Sequence, residues 1–369
     1  MSNGRASVPD GVKISNGLTP QKDNHYPSAM SQGVQQMSIS ASTQELAELI
    51  DVHLGELRPE SPAWRVSDSP ISGRGIFAVR DIVKGEELFR EHTLLVGPTA
   101  HRSTNLRTCT LCYRLVPGED DTDAMCPAGC GLPVCPECAV SERHANECKL
   151  FRKWEPKELG HIEPRALRIL SVVRCFFLNE AQRRLLYAMQ ANADKYYMKE
   201  VERAAGCFEH FPHEQDMLDY FYRTICAFNT NAFESRSRVE GHEVLVRALF
   251  PLAGLLNHQC TPNASHHFED AETIVVTAAE RIPQGAEITM SYTKVLWSTL
   301  ARKMFLGMTK HFMCHCPRCE DPTPQPSSSP SPSPSPTLSS RASHVADRKQ
   351  SCTYEYIAHT PHVRSTLLQ

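Results

Sequence analysis

The segment at residues 257–263 combines side chains that could bind a ligand and a metal. Two Asn, a His and a Cys surround one Pro, directly after the hydrophobic run at 249–256. Buried polar groups cost free energy unless each finds a partner, so an apolar segment that ends in amides and an imidazole usually faces a ligand. We therefore predict that Asn257 and His258 face a small cofactor and that Cys260 binds a metal.

Cysteine is the unusual residue type of this chain, with 15 among 369 residues. The N-terminal residues lack the apolar core of a signal peptide, and no apolar run approaches the ~18 residues of a membrane span. Without a secretion route, clustered cysteines bind metal more often than they form disulfides. The net charge of −3 gives no electrostatic reason to expect nucleic acid or an anionic membrane as a partner. We expect a monomer in the cytoplasm and/or the nucleus.

Residues 109–148 hold eight potential ligands, enough for two four-coordinate zinc sites. Their paired spacing favours interleaving, with pairing of sequence neighbours as the alternative and a disulfide knot as the less favoured one. A small module with little core needs such ions, since each structural zinc can contribute roughly 10–16 kcal/mol of binding free energy. The predicted sites are Cys109, Cys112, Cys135 and Cys138, and Cys126, Cys130, His144 and Cys148.

A third zinc site is predicted near the end of the folded region, where Cys314, Cys316 and Cys319 fall within six residues. Cys260 is the expected fourth ligand, and His315 or a neighbouring chain is the alternative. A zinc ion there would hold this segment across Asn257 and His258. All three sites would be closed to water, which argues against hydrolysis at a metal.

Hydrophobic patterns predict the elements that position these residues. The segments 78–88 and 278–288 resemble each other, since each is typical of a strand, a Gly turn and a second strand. We expect the two copies to pack in one β assembly around what lies between them. Further strands are predicted within 64–95, at 243–247 and at 273–277, and helices at 43–50, within 160–230 and at 217–228.

Four motifs occur in order: Ser-Gly-Arg-Gly-Ile-Phe at 72–77, the segment 257–263, Glu-Ile-Thr-Met-Ser-Tyr at 287–292, and Cys-x-Cys-x-x-Cys at 314–319. Together they resemble the SET-domain protein-lysine methyltransferases, including their post-SET zinc segment. The module at 109–148 resembles a MYND zinc finger, and a SET domain split by such a finger is the signature of the SMYD family. The stretch 128–135 is most similar to the arthropod SmydA-type members. The resemblance covers about residues 62–322.

The resemblance implies an α+β fold, a SET-domain β-fold with an inserted MYND zinc finger, a helical insert and a zinc-bound post-SET segment. Where the family usually continues with a helical region, a Ser- and Pro-rich tail suggests a short isoform or truncated form. The expected domains are a disordered leader at 1–60, the SET N-terminal part at 61–104, the finger at 105–148, the helical insert at 149–240, the catalytic core at 241–296, the post-SET segment at 297–322 and the low-complexity tail at 323–369.

The resemblance also implies S-adenosylmethionine as methyl donor and a lysine ε-amine of a histone or non-histone protein as acceptor, with a link to transcriptional regulation. Tyr292 would line the lysine channel as the catalytic residue, and Phe312 would close that channel. Many SET enzymes carry a second tyrosine four residues before the first post-SET cysteine, where this chain has Lys310. The residues implied to contact the cofactor are Gly73, Arg74, Gly75, Asn231, Asn257, His258, Tyr292 and Phe312.

The implied reaction needs a neutral amine, and deprotonating a free lysine at neutral pH costs about 4 kcal/mol. An apolar channel beside a cationic sulfonium lowers that pKa by desolvation and like charge. A second hypothesis is a catalytically weak adaptor whose MYND finger recruits proline-containing partner peptides. A DNA-binding zinc protein is the least favoured hypothesis, since the chain is slightly acidic and the finger lacks Cys2His2 helix spacing.

Overall fold

The computed structural model describes residues 41–99, 108–116, 125–157, 167, 170–193, 195–239 and 241–321. Within these ranges the fold is α+β, as the sequence predicted. The strands are β1 (Trp64–Asp68), β2 (Arg74–Ala78), β3 (Glu87–His92), β4 (Leu95–Pro98), β5 (Phe233–Val239), β6 (His242–Leu249), β7 (Asn257–His258), β8 (Ala264–Phe268), β9 (Thr273–Ala278) and β10 (Glu287–Met290). The α-helices are α1 (Thr43–Leu54), α2 (Pro136–Ala139), α3 (Glu142–Trp154), α4 (Leu170–Val173), α5 (Glu180–Ala188), α6 (Lys195–Ala205), α7 (Gln215–Asn231), α8 (Thr299–Thr309) and α9 (Pro317–Glu320).

The described strands form three small sheets, ordered β1-β2-β10-β7, β3-β9-β8 and β4-β6-β5. Neighbouring strands are antiparallel except for β7 and β10, which pair in parallel with Asn257 opposite Thr289 and His258 opposite Met290. This short parallel pair places the segment 257–263 beside the segment 287–292. Two motifs that are about thirty residues apart in sequence therefore meet at one sheet edge.

The internal repeat predicted from the sequence forms a nearly symmetric pair in the structure. Ile82 and Ile282 exchange backbone hydrogen bonds of 2.9 and 3.0 Å. The glycine in the turn of each copy donates a backbone hydrogen bond to a strand of the other copy. The Gly85 N–H donates to the Ala278 carbonyl and the Gly285 N–H donates to the Ala78 carbonyl, each at 2.8 Å. Both glycines have positive φ angles, 84° and 81°, which residues with a Cβ rarely adopt. The two copies thus lock β2, β3, β9 and β10 into one assembly.

Helix α1 confirms the helix predicted at 43–50 and extends it to Leu54, and it corrects the prediction of a disordered leader through residue 60. Leu46, Leu49, Ile50 and Leu54 recur at helical spacing and are buried against the β core. Ser42 caps the helix, since its side chain accepts the Glu45 N–H at 3.1 Å. This apolar stripe buries enough surface to order residues 43–57, whereas the predicted leader at 1–40 lies outside the described residues.

The helical insert packs with the zinc finger around a second core that is rich in aromatic residues. Trp154, at the end of α3, contacts Phe151, Phe208 and Phe211 with ring centroids 4.8–5.5 Å apart. Since α3 begins in the finger and ends in this core, the predicted boundary at residue 148 falls inside a helix. The finger is therefore built into the fold rather than tethered to it.

Two further predictions concern parts of the chain that bear less on the site. The tail predicted at 323–369 lies outside the described residues. In the part of the chain that is described, no helix combines the length and the apolar character needed to cross a membrane.

Candidate functional site

Eight residues of the finger form two groups of ligand atoms, in the interleaved arrangement predicted from their spacing. Within each group the ligand atoms all lie within 4.8 Å of one another. Pairing of sequence neighbours, the alternative, is not the arrangement that these described residues adopt. The groups are Cys109, Cys112, Cys135 and Cys138, and Cys126, Cys130, His144 and Cys148.

Local structure explains how the second group of ligands converges. Gly129 and Gly131 have φ angles of 78° and 79°, and so allow the tight turns on either side of Cys130. Ser141 caps α3 by accepting the His144 N–H at 3.2 Å. His144 and Cys148 are four residues apart on that helix, so their side chains lie on the same face.

The distances within the groups fit zinc rather than disulfides. A tetrahedral site with zinc–sulfur bonds of about 2.3 Å places sulfur atoms about 3.8 Å apart. The Cys112–Cys135 and Cys126–Cys148 sulfurs are 3.7 and 3.8 Å apart. A disulfide would need about 2.05 Å. These residues would therefore hold two zinc ions that stabilise the finger.

The third group joins Cys260 to the post-SET cysteines, as predicted. The Cys260 sulfur lies 3.9 Å from that of Cys314 and 3.5 Å from that of Cys319, and Cys316 completes the set. Burial raises the pKa of the Cys260 thiol to about 11, so a bound cation is what would keep this sulfur as a thiolate. A zinc ion here would tie residues 314–319 to the segment 257–263.

Arg302 supplies a positive charge to this third group. Its side chain is fully buried, with Nε 3.1 Å from the Cys260 sulfur and a terminal nitrogen 3.5 Å from the Cys319 sulfur. Another guanidinium nitrogen donates to the Trp297 carbonyl at 2.6 Å, which fixes its orientation. Four thiolates around Zn²⁺ carry a net charge of −2, so a buried guanidinium offsets part of that charge.

His258 links the metal group to the candidate catalytic tyrosine. Its Nδ1 accepts the Tyr292 backbone N–H at 2.9 Å, and its Nε2 lies 3.3 Å from the Cys260 sulfur. Burial, and secondarily the charge of Arg302, lowers the pKa of His258 to about 4. The neutral ring can therefore accept the Tyr292 N–H. The His258 side chain therefore faces the Tyr292 backbone and the Cys260 sulfur. Strand pairing between β7 and β10 places its backbone opposite Met290.

The hydroxyl of Tyr292 is oriented by the segment that precedes the Asn257 motif. It donates to the Leu256 carbonyl at 2.7 Å. Burial, reinforced by the charge of Glu287, raises the pKa of the phenol above its usual value, so it stays protonated at neutral pH. With its one proton directed at Leu256, the oxygen presents its lone pairs to a donor such as an amine N–H.

Asn257 joins the loop at 72–75, termed the glycine loop, to β10. Its Nδ2 donates to Glu287 at 2.8 Å and lies 3.1 Å from both the Ser69 hydroxyl and the Arg74 carbonyl. A Cβ on Gly75 would overlap the Glu287 carboxylate and lie 3.1 Å from Asn257 Nδ2. A residue with a Cβ at position 75 would therefore have to displace the Glu287 side chain from its hydrogen bond with Asn257. Gly73, with φ 53° and open space around it, serves the turn.

Arg74 lies at one side of a cavity of about 500 Å³ between α1, α5 and α7. Its guanidinium donates to the Ala188 carbonyl at 2.6 Å and the Ala41 carbonyl at 3.2 Å, and both alanines line the cavity. Asn231 ends α7, where its Nδ2 donates to the Gln190 and Ala227 carbonyls at 2.7 and 2.8 Å. Backbone carbonyls therefore hold both side chains, that of Arg74 in the loop at 72–75 and that of Asn231 at the end of α7.

Aromatic groups and one amine complete the site on the post-SET side. The Phe312 ring lies 6.0 Å from that of His258 and 6.4 Å from that of Tyr292. The Lys310 Nζ lies 5.8 Å from the Tyr292 ring centroid and donates to the Thr230 carbonyl at 2.8 Å. The predicted residues Tyr292, His258 and Phe312 thus form one cluster with Lys310.

The sequence analysis assigned no role to four side chains that the site uses, namely Ser69, Glu91, Glu287 and Arg302. Ser69 donates to Glu287 at 2.8 Å, and Glu287 in turn accepts from Asn257. Glu91, fully buried, accepts the N–H groups of Leu252 and Ala253 at 2.7 and 2.9 Å and so anchors the segment leading to Asn257. Glu287 lay within a quoted motif, but nothing local marked Ser69, Glu91 or Arg302.

Residues 73–293 match the SET-domain family. The chain is 82% identical over 288 residues to the SET domain-containing protein SmydA-8, isoform B, of Drosophila melanogaster, which covers 78% of this chain and 64% of that protein. Isoform A is 50% identical over 285 residues, covering 76% of this chain and 61% of that protein. The chain thus spans less than two thirds of the length of these relatives.

More distant similarities concern a human protein and a solved structure. The Homo sapiens histone-lysine N-methyltransferase SMYD3 is 26% identical over 275 residues, covering 67% of this chain and 59% of that protein. A crystal structure of the SET domain of LSMT bound to lysine and AdoHcy superposes with a TM-score of 0.36 at 15% identity, covering 74% of this chain and 58% of that chain.

Proposed function

Because this chain belongs to the SET-domain family, in its SMYD group, we propose that it transfers a methyl group from S-adenosylmethionine to a lysine of a protein substrate. Histone and non-histone lysines are both candidate acceptors, and a role in transcriptional regulation would follow from the former. The observation that carries the proposal is the orientation of Tyr292. Its hydroxyl donates to the Leu256 carbonyl and its backbone N–H donates to His258, so the phenol oxygen is fixed in position and its lone pairs can accept a hydrogen bond.

S-adenosylmethionine, when bound, supplies an electrophilic methyl group on a sulfonium. The loop at 72–75, Asn231 and Asn257 are the residues we propose to hold it, and the Glu287 carboxylate beside Asn257 offers a negative charge to its cationic groups. Tyr292 would accept an N–H from the substrate amine and so direct the nitrogen lone pair. Phe312 and His258 exclude water around that amine, which lowers its pKa by desolvation.

Calorimetry with S-adenosylmethionine and a tritium-transfer assay on histones and on cell protein test the proposal. We expect Tyr292→Phe to leave cofactor affinity within about threefold and to reduce transfer by at least tenfold, since one oriented hydrogen bond in the transition state is worth a few kcal/mol. Tyr220→Phe is the matched control, because the Tyr220 hydroxyl also donates to a backbone carbonyl, that of Cys175, at 2.7 Å. Absence of micromolar cofactor binding to the zinc-loaded chain would refute the proposal.

A groove on the finger favours a second candidate function, recruitment of a partner peptide. It has a volume of about 470 Å³ and is lined by Lys149, Arg152 and Lys153 beside the ligands His144 and Cys148. We propose that proline-containing partner peptides bind there, with acidic residues facing the lysines. Loss of peptide binding in a Lys149→Glu, Lys153→Glu double variant, with methyl transfer unchanged, would support recruitment as a separate function.

A further inference from the structure

Lys310 places an amine of the chain itself inside the candidate active site. The residue is the C-cap of α8, and the next residue, His311, turns the chain with a φ angle of 60°. The Lys310 carbonyl accepts from Asn192 Nδ2 at 3.3 Å, while its Nζ donates to the Thr230 carbonyl at 2.8 Å. The backbone and the terminal amine of Lys310 are therefore each held by a hydrogen bond.

The two groups that contact this amine both belong to the site. Thr230 immediately precedes Asn231, which is proposed to contact the cofactor. The Nζ atom lies 5.8 Å from the centroid of the Tyr292 ring, within cation–π distance of the proposed catalytic residue. An acceptor amine in a methyltransferase must lie between the cofactor and the residue that orients it. The Lys310 amine lies beside Tyr292, and the Thr230 carbonyl that accepts from it borders Asn231, so it has the neighbours that an acceptor amine needs.

The environment also favours the reactive form of the amine. Burial, and secondarily the charge of Arg247, lowers the pKa of Lys310 to about 8, with Glu234 acting in the opposite direction. At pH 8 about half of the amines would be neutral, against roughly 0.3% for a lysine of ordinary pKa. A neutral amine can keep donating one N–H to Thr230, which leaves its lone pair free for attack.

From this placement we propose that Lys310 is a methylation site of the protein, modified in cis by its own active site. The inference rests on the proposed methyltransferase function. The neutral Nζ attacks the methyl carbon of S-adenosylmethionine, a nitrogen–carbon bond forms as the carbon–sulfur bond breaks, and the bonding pair stays on the sulfur of departing S-adenosylhomocysteine. The methylated ammonium then releases one proton to water.

The test incubates the full zinc-loaded chain with S-adenosylmethionine that carries a deuterated methyl group, followed by peptide mass spectrometry. We expect the label on Lys310, at a rate constant that does not change with protein concentration. Lys310→Arg should remove that label, whereas Lys303→Arg, on the same helix, should leave it. Calorimetry on Lys310→Arg shows whether the variant still folds and binds the cofactor.

A complementation experiment separates reaction in cis from reaction in trans. Chains carrying Tyr292→Phe retain Lys310, and chains carrying Lys310→Arg retain Tyr292. If each site modifies only its own lysine, the mixture should label Lys310 no faster than the Tyr292→Phe chains do alone, and faster labelling in the mixture would overturn the inference. If the chain binds cofactor and methylates other proteins while Lys310 stays unlabelled, the inference is wrong and the proposed function stands. If cofactor does not bind, the proposed function fails as well.

Discussion

At the scale of single residues, the candidate site depends on side chains whose partners lie far away in sequence. Tyr292 is oriented by Leu256 and His258, and Cys260 shares a ligand group with residues 314–319. Arg302, which is fully buried, and Lys310, which is partly buried, add two cationic side chains within the same region. One is compensated by cysteine sulfurs, and the other has a carbonyl and an aromatic ring as its neighbours. Substitution of Arg302 should therefore affect zinc retention, whereas substitution of Lys310 should affect the pH dependence of stability.

Replacing Arg302 by Met should weaken retention of the third zinc ion. The variant leaves buried thiolates without the guanidinium that donates to Cys260 and Cys319, and loss of such outer partners costs 10–100-fold in metal affinity. A chelator competition assay with a colorimetric zinc indicator measures the loss. Arg318→Met is the control, because Arg318 lies in the same segment but donates to backbone carbonyls. Equal zinc retention in the two variants would contradict the role of Arg302.

Replacing Lys310 by Met should change stability in a pH-dependent way. The pKa is about 8 in the folded state, below the ordinary value of 10.5, so the folded protein loses this proton at lower pH than the unfolded chain does. Desolvation of the charged amine therefore lowers the free energy of unfolding by its full amount below pH 8, and this loss shrinks as pH rises from 8 towards 10.5. Relative to the parent protein, Lys310→Met should gain stability at pH 7, and the gain should shrink by pH 9.5. Urea unfolding at both pH values checks this, with Lys303→Met as control.

At the scale of elements, the site is assembled by short strands and turns. The two-residue strand β7 pairs in parallel with β10. The paired Gly turns at 85 and 285 hold β10 together with β2, β3 and β9. The periodicity of residues 78–88 and 278–288 indicated the turns and strands correctly, since they depend on local conformation. The parallel pairing of β7 depends on contacts between segments about thirty residues apart, which no local pattern specifies.

Gly75→Ala tests the close packing of the glycine loop against β10. The added methyl group would overlap the Glu287 carboxylate, and overpacking of this kind costs about 1–3 kcal/mol. Displacement of Glu287 and Asn257 should also weaken binding of S-adenosylmethionine, measured by calorimetry. Gly307→Ala is the matched control, because its Cβ would meet only the Met313 sulfur at 3.6 Å and alanine favours a helix. Equal effects of the two substitutions would argue against a special role for Gly75.

At the scale of the whole molecule, the zinc finger is joined to the rest of the fold by a buried ion pair. Arg174 Nε lies 2.6 Å from Glu147 on α3, and the same guanidinium donates to the Thr110 carbonyl of the finger at 2.8 Å. Both side chains of the pair are almost completely buried. An exposed pair, Arg143 with Glu272 at 3.0 Å, also joins the finger to the turn before β9.

Substitutions in the buried pair and in the exposed pair should reduce the free energy of unfolding by very different amounts. Glu147→Gln should reduce the free energy of unfolding by about 3–5 kcal/mol, because it leaves a buried guanidinium without its counter-charge. Glu272→Gln should cost at most about 1 kcal/mol, because exposed pairs are screened by solvent. Urea unfolding at fixed zinc concentration compares them. A small effect of Glu147→Gln would show that the finger is held mainly by its apolar contacts with the insert.

Sequence alone determined the features that depend on residue chemistry and short spacing. The Gly turns, the adjoining strands and the cysteine clusters at 109–148 and 314–319 could be predicted from local spacing. Cys260 was assigned to the third group because its polar segment needed a partner, and the SET-domain motifs were identified by resemblance. Helix α1 was only partly predicted, since its order depends on packing of Leu46 and Ile50 into the core. Only the tertiary structure decided that Arg302 contacts the third cysteine group and that Lys310 lies over Tyr292. Those positions follow from the way α8 packs across the site, a long-range arrangement that composition and periodicity do not specify.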